Sequence, residues 1–395
     1  MKKILIISNL FYPDSTAGSA KLLFYYAQEL IKKGHQVSVL ATKHDQKLAD
    51  SEVIDGIKVV RYSFSQSKYW GKSLSDIFLL SKKLRDLAPQ YDLVMTYNAF
   101  QAVALIKTKI KISLVYLFFA SNYNEFLLEG VGRKTGILLI DRLLGFVLAH
   151  LVKFYENKAL KFAKKIIVLS DYSKKILLGL YNIKEEKIVK IPAGIDLQRF
   201  KRGDKTLAKK QLQLPINKPV LLTVRRLVAR MGLENLIMAV KKLSEEGVDF
   251  ILLIGGQGPL EKQLKNMVAN NDLSRQVQFA GFIKDQELPL YYQAADVFIL
   301  PTLAFEGFGL VTLESLSCGT PVLGTPAGAT PEILKQLNPN WVFKSSKAED
   351  IYQGILNFIN SETDPLLEMK MSALISKKYS WDLVGEKLNE QINNL

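Results

Sequence analysis

Residues 301–334 read PTLAFEGFGLVTLESLSCGTPVLGTPAGATPEIL, and two acids in this stretch, Glu306 and Glu314, stand either side of Gly307-Phe308-Gly309. The glycines demand a tight loop, and the residues from Leu310 to Cys318 suit a short helix. Backbone N–H groups at a helix N-terminus lack intrahelical partners and bind anions, and glycine lets a phosphate approach closely. Glu306 falls on the loop beside such an anion. Glu314 falls a turn or so into the helix, where its carboxylate can accept hydrogen bonds from vicinal hydroxyls. Two acceptors flanking an anion cradle suit a nucleoside diphosphate sugar. The same two acids, taken alone, also read as a solvated loop acid and an exposed helix acid, so the rest of the chain has to decide.

Outward from this stretch, short apolar runs alternate with helical patterns. Residues 3–8 read as a buried strand, 20–33 as a helix with its apolar residues on one face, and 36–41 as the next strand after Gly34. Further strands are expected at 92–96, 112–118 and 165–169. A second series begins near Pro219, with strands at 220–224, 250–255, 277–280, 297–300 and 321–324 and helices at 232–246 and 260–270. Such alternation predicts an α/β protein with parallel sheets covered on both faces. The polar, basic segment 201–218 reads as the connection between two domains, giving an N-terminal domain over 1–200 and a C-terminal one over 201–378. The amphipathic segment 379–395, with Trp381, is expected to pack back on the first.

At 395 residues the chain is long enough for two such domains. Its single cysteine, Cys318, excludes an internal disulfide framework and fits a reducing compartment. The apolar run after Met1-Lys2-Lys3 is too short for a secretory signal. Charge is uneven: residues 1–200 carry 31 Lys and Arg against 17 Asp and Glu, whereas 201–395 carry 22 against 21. A basic first half implies an anionic partner, with a plainly solubilising surface as the alternative. No zinc-ligand spacing or aromatic-basic sheet motif points to nucleic acid. Residues 137–155, ILLIDRLLGFVLAHLVKFY, are strongly apolar but contain Asp141, Arg142, His150 and Lys153. Those charges disfavour a spanning helix; a long helix packed on the sheet is expected, with part of its face available to a membrane alongside Arg133, Lys134, Lys158, Lys161, Lys164 and Lys165.

The 301–334 stretch resembles the E-x7-E signature of retaining glycosyltransferases of family 4, which have the GT-B fold. The resemblance runs through Glu306, Gly307, Phe308, Gly309, Leu310, Leu313, Glu314, Gly319, Thr320, Pro321, Val322, Gly328, Pro331 and Glu332. Other stretches agree in order: Gly34-His35-Gln36-Val37 with the family's G-H-x-V turn, Ile191-Pro192-Ala193-Gly194-Ile195-Asp196 and Phe200 with its P-x-G-V-D-x-x-x-F link, and Gly255-Gly256-Gln257-Gly258-Pro259-Leu260 with its G-x-G-P-L turn. Gly281-Phe282-Ile283 resembles the loop that packs on the nucleobase. The resemblance implies two Rossmann-like domains facing across a cleft. It also implies a metal-independent retaining transferase, since no Asp-x-Asp motif is present, with no cofactor beyond a nucleoside diphosphate sugar, a UDP-sugar being favoured. The donor would be held by Gly18, Ser19, Gly256, Ile283, Phe308, Gly309, Leu310, Val311 and Glu314, and chemistry would fall to Arg226, Arg230 and Glu306.

This chain departs from the family pattern in three places. The family's G-R-L-V-x-x-K-G loop, whose Arg and Lys neutralise the leaving diphosphate, reads here as Arg225-Arg226-Leu227-Val228-Ala229-Arg230-Met231-Gly232. Arg226 matches the arginine, but Met231 takes the lysine's place, with Arg230 beside it able to reach the same phosphate; Arg225 and Arg230 facing solvent is the plain alternative. The family's first loop often has Gly-Gly where this chain has Gly18-Ser19. Phe119 occupies the place of a histidine that contacts the sugar, and Phe can neither donate nor accept a proton; Asn124 or Glu125 is expected to serve the acceptor instead, with Glu125 as a plain surface acid the equal alternative. The acceptor is expected to be a lipid-linked or membrane-proximal glycan, met by a cytoplasmic protein peripheral to the inner face of a membrane and brought to the donor by domain closure. A soluble or protein acceptor, and a catalytically silent partner subunit, are the alternatives. A nucleotide-sugar epimerase is disfavoured by the E-x7-E stretch, and a nicotinamide dehydrogenase by the lack of G-x-G-x-x-G after the first strand.

Overall fold

The computed structural model describes residues 1–15, 17–63, 71–124, 138–304, 306–362 and 364–395, apart from the side chains of 71–75 and 138–144. Glu125, Arg133 and Lys134 lie outside the described residues. The chain divides into two units, Met1–Ala193 with Trp381–Leu395, and Gly194–Ser380.

The first unit is built on eight strands: β1 Lys3–Ser8, β2 Gln36–Thr42, β3 Ser51–Ile54, β4 Ile57–Tyr62, β5 Leu93–Thr96, β6 Ser113–Phe118, β7 Lys165–Val168 and β8 Ile188–Lys190. They lie in the order β3-β4-β2-β1-β5-β6-β7-β8. All neighbours are parallel except the β3–β4 hairpin. Inner strands of a parallel sheet are covered on both faces, which is why Ile4, Leu5, Ile6 and Ile7 are all buried rather than alternating. The β3–β4 hairpin and β8 add to the strands expected from sequence. β3 is mostly exposed and has no apolar run to betray it, but Asp55 and Gly56, both at positive φ, make the tight turn that an Asp-Gly pair favours.

The second unit is built on five parallel strands: β9 Val220–Val224, β10 Ile251–Gly255, β11 Val277–Gly281, β12 Val297–Leu300 and β13 Val322–Gly324, in the order β11-β10-β9-β12-β13. The chain steps outward from β9 through β10 to β11, then returns to the other side of β9. This is an α/β, Rossmann-like architecture in both units. In such sheets ligands bind beyond the carboxyl ends of the strands, where the order reverses. In the second sheet that place is between β9 and β12.

The 137–155 segment lies mostly within the helix Leu138–Phe162. Among the described residues no helix is long and apolar enough to cross a membrane. The helix Trp381–Asn393 packs on the helix Gly18–Lys32 in the first unit. Trp381 stacks on Tyr25 with ring centroids 4.8 Å apart, His35 Nε2 lies 2.7 Å from Asn389 Oδ1, and Lys2 Nζ donates to the Ile392 carbonyl at 2.8 Å. Trp381→Ala removes a buried aromatic from this seam and is expected to cost about 3–5 kcal/mol. Urea titration checks it, and an unchanged midpoint would show the helix to be dispensable to the first unit.

Candidate functional site

At the carboxyl edge of the second sheet, the loop after β9 is laced to the loops after β10 and β12. The Arg225 N–H donates to the Gly255 carbonyl at 2.9 Å, Leu227 N–H to Gln257 at 3.0 Å, and Leu303 N–H to Arg230 at 2.9 Å. Gly256 has φ +122°, and a Cβ there would lie 1.8 Å from the Arg225 carbonyl oxygen, so only glycine fits. The Arg225 backbone is therefore held from the β10 side.

The two arginines that follow β9 have different fates. Arg225 is 8% exposed, and its guanidinium donates to the Glu306 carboxylate. Its Nη2 and Nε also lie 3.0 and 3.3 Å from Met231 Sδ. Arg225 therefore does not face solvent, and sequence reasoning gave it no role. Arg226, which the motif register aligns with the family's arginine, is exposed, and Arg230 is half-buried. The available signal for Arg225 was its place one residue beyond the last strand position.

Glu306 is held at both ends: its carboxylate by Arg225, its carbonyl by the N–H of Ala329 at 2.9 Å. Gly309, at φ +81°, caps the eight-residue helix Leu310–Ser317 with no side-chain hydrogen bond to the helix amides. A side chain at 309 would meet Thr312 Oγ1 at 3.1 Å and the Glu306 side chain at 3.5 Å. The Gly309, Leu310 and Val311 segment thus lies against Glu306, with Leu310 and Val311 half-buried and Phe308 buried beside Tyr379. Glu314, 6% exposed, accepts a hydrogen bond from Tyr292 Oη at 2.8 Å. Burial, reinforced by the Glu314 carboxylate, pushes the Tyr292 phenol well above its ordinary range, so it remains a donor. Tyr292 was not anticipated from sequence. Ile283 is buried, and its Cδ1 lies 2.5 Å from where a Cβ on Gly255 would stand; its neighbour Phe282 is exposed. The second unit thus brings Arg225, Arg230, Gly256, Ile283, Glu306, Phe308, Gly309 and Glu314 to loops and helix ends around one sheet edge.

In the first unit, Gly18 and Ser19 open the helix Gly18–Lys32, with Gly18 exposed and Ser19 half-buried. Phe119 follows β6 and stacks on Tyr97 at 5.6 Å. The segment after it is pinned by a buried acid, Glu156, which accepts from Asn122 Nδ2 at 2.6 Å, from Tyr116 Oη at 3.3 Å and from Tyr181 Oη. Asn124 N–H donates to Ser121 Oγ at 3.3 Å within the same turn. Burial raises the Glu156 carboxyl above its usual range, outweighing the hydrogen bonds from Tyr181 and Asn122 that favour its charged form.

A carboxyl whose pKa is higher folded than unfolded stabilises the fold below its unfolded value and loses that contribution as pH rises through the folded one. Relative to Glu156→Gln, the wild-type chain should therefore lose stability as pH climbs from the ordinary value of 4.5 toward neutrality. Melting curves of the two proteins across that range check it; curves that stay parallel would contradict the raised carboxyl.

The comparisons with known proteins divide the chain as its sheets do. Residues 16–199 match the model described as Glycosyltransferase Family 4, and residues 204–377 the model described as Glycosyl transferases group 1. The chain is 30% identical to a GDP-mannose-dependent monoacylated alpha-(1-6)-phosphatidylinositol monomannoside mannosyltransferase of Corynebacterium glutamicum, over 50% of this chain and 54% of that one. It is 26% identical to the alpha-monoglucosyldiacylglycerol synthase of Streptococcus pneumoniae, over 81% of this chain and 70% of that one. The Anabaena protein Alr3699/HepE, solved with UDP and glucose, superposes with a TM-score of 0.74 at 19% identity, with all of each chain covered. With a domain model matched on each of its two sheets and this fold, the chain is a glycosyltransferase of the family 4, GT-B type.

Proposed function

We propose that the chain is a retaining glycosyltransferase that moves a sugar from a nucleoside diphosphate sugar, with UDP as the favoured nucleotide, to a lipid-linked or membrane-proximal glycan. The observation that carries the reading is the pairing of Glu306 and Glu314 around the Gly309 helix start at the β9–β12 strand reversal. Glu306 holds the sugar ring and Glu314 the ribose hydroxyls, while the amides of Gly309, Leu310 and Val311 meet the diphosphate. Ile283 packs by the base, near Gly256. Arg226 and Arg230 add positive charge at the loop and take the part of a metal.

The reaction breaks the bond between C1 and the phosphate oxygen and forms one between C1 and the acceptor oxygen on the same face. The acceptor's proton passes to the leaving diphosphate. Positive groups fixed where that charge grows stabilise the transition state. With Phe119 unable to move a proton, front-face transfer needs no base from that position, and Asn124 and Glu125 are left to the acceptor. The Anabaena neighbour's UDP and glucose support the donor class.

Melting the full chain with UDP, GDP and ADP is expected to single out one nucleotide, since a bound ligand stabilises by RT ln(1 + [L]/Kd). Glu306→Gln should then lower transfer from the matching sugar nucleotide about 100-fold. No stabilisation by any of the three would sink the donor assignment. Binding with neither donor hydrolysis nor transfer to lipid-linked, soluble or protein acceptors would instead identify a catalytically silent subunit.

A membrane-proximal acceptor is supported by the relatives' lipid names and by one face of the helix Leu138–Phe162. Phe146, His150, Phe154, Lys158 and Phe162 recur every four residues and are all exposed, which places aromatic rings and cations on a single stripe. Rings that enter a headgroup layer beside lysines suit an anionic surface. The chain should co-sediment with anionic liposomes at low salt, and the double substitution F146S/F154S should weaken this several-fold. Binding indifferent to both salt and substitution would leave the stripe without that role.

A further inference from the structure

We propose that Arg225 is the inner cation of the donor site, carrying the positive charge that Met231 does not. The inference rests on the donor reading above and adds to it a residue that the motif register passes over.

Arg225 directly follows β9, at the crevice beside β12 where ligands meet a sheet of this kind. Its backbone is fixed there by Gly255 and by the approach of Gly256, and its side chain runs to Met231 and Glu306.

A guanidinium sheathed by protein loses hydration that a thioether, a weak acceptor, does not replace. The Glu306 carboxylate compensates part of that loss. Among the described residues its contacts use Nε and Nη2, and Nη1 carries two further N–H groups able to donate to phosphate oxygens.

Met231 Sδ lies 3.0 Å from Nη2. A cation at 231 would stand at contact distance from the guanidinium and repel it. The loop therefore accommodates one inner cation, supplied either from 225 or from 231. In this chain the pair is Arg and Met, where the family pattern has Gly and Lys.

The test is binding of UDP, GDP, ADP and the corresponding monophosphates to the full chain, by calorimetry, for wild type, R225G and the double substitution R225G/M231K. R225G should lower the preference for diphosphate over monophosphate at least tenfold, and the double substitution should restore most of it. Melting without nucleotide establishes that each variant is folded; should glycine at 225 unfold the chain, R225Q takes its place with the same expected loss. A folded R225G or R225Q that binds diphosphate like the wild type overturns the proposal, as does a folded double variant no better than R225G. Wild-type protein that binds no nucleoside diphosphate overturns the donor reading and this inference together.

Discussion

The contact between the Arg225 guanidinium and the Glu306 carboxylate joins the two loops that leave β9 and β12. Both groups are largely withdrawn from water, and a pair of that kind costs desolvation that its own attraction barely returns. Hydrophobic residues of similar volume would hold the loops together as well. Removing either member alone would leave a charge stranded, at a cost of about 3–5 kcal/mol. The pair therefore makes the geometry of the loops dependent on charge, and it places a carboxylate and a cation at the one edge of the sheet where the strand order opens a crevice. The Gly309 helix start, the Ala329 bond to the Glu306 carbonyl and the Gly256 approach to Arg225 all fix the same two residues from behind.

The first unit shows a related arrangement with opposite electrostatics. Glu156 is buried on a helix and surrounded by phenols and an amide. Hydrogen bonds satisfy its oxygens, but its recorded partners bring no compensating charge, so burial raises its carboxyl. Its partners Tyr116, Asn122 and Tyr181 belong to β6, to the turn beyond Phe119 and to the end of the helix Asp171–Leu180. One acid thus sets the shape of the segment that leads toward the expected acceptor residues.

How much of this could be read in advance depends on whether the deciding physics was local. The parallel sheets were legible because strands buried on both faces leave unbroken apolar runs, as at residues 4–7 and 251–254. β3 was not, because an exposed edge strand needs no apolar pattern, and only Asp55-Gly56 hinted at its turn. The glycine-rich loop around 307–309 could be recognised because turn chemistry is written in consecutive residues. The contrast between Arg225 and Arg226 could not. Adjacent arginines are chemically equal in a sequence, and what separates them is a carboxylate 81 residues away, Glu306, that only the fold brings to Arg225. Glu156 was hidden for the same reason: an acid within a helix reads as a surface residue until phenols from 25 and 40 residues away close over it.

The docking of the helix Trp381–Asn393 on the helix Gly18–Lys32 has a consequence for synthesis. A ribosome delivers the eight-stranded sheet first, then the whole five-stranded one, and only afterwards the piece that covers Tyr25 and His35. The second unit can complete its hydrophobic core while the first still exposes a patch of its own. Domains generally fold in the order they emerge, and unshielded apolar surface invites aggregation. In this chain the order of completion is inverted, so the earliest-made half spends the longest time with apolar surface unshielded.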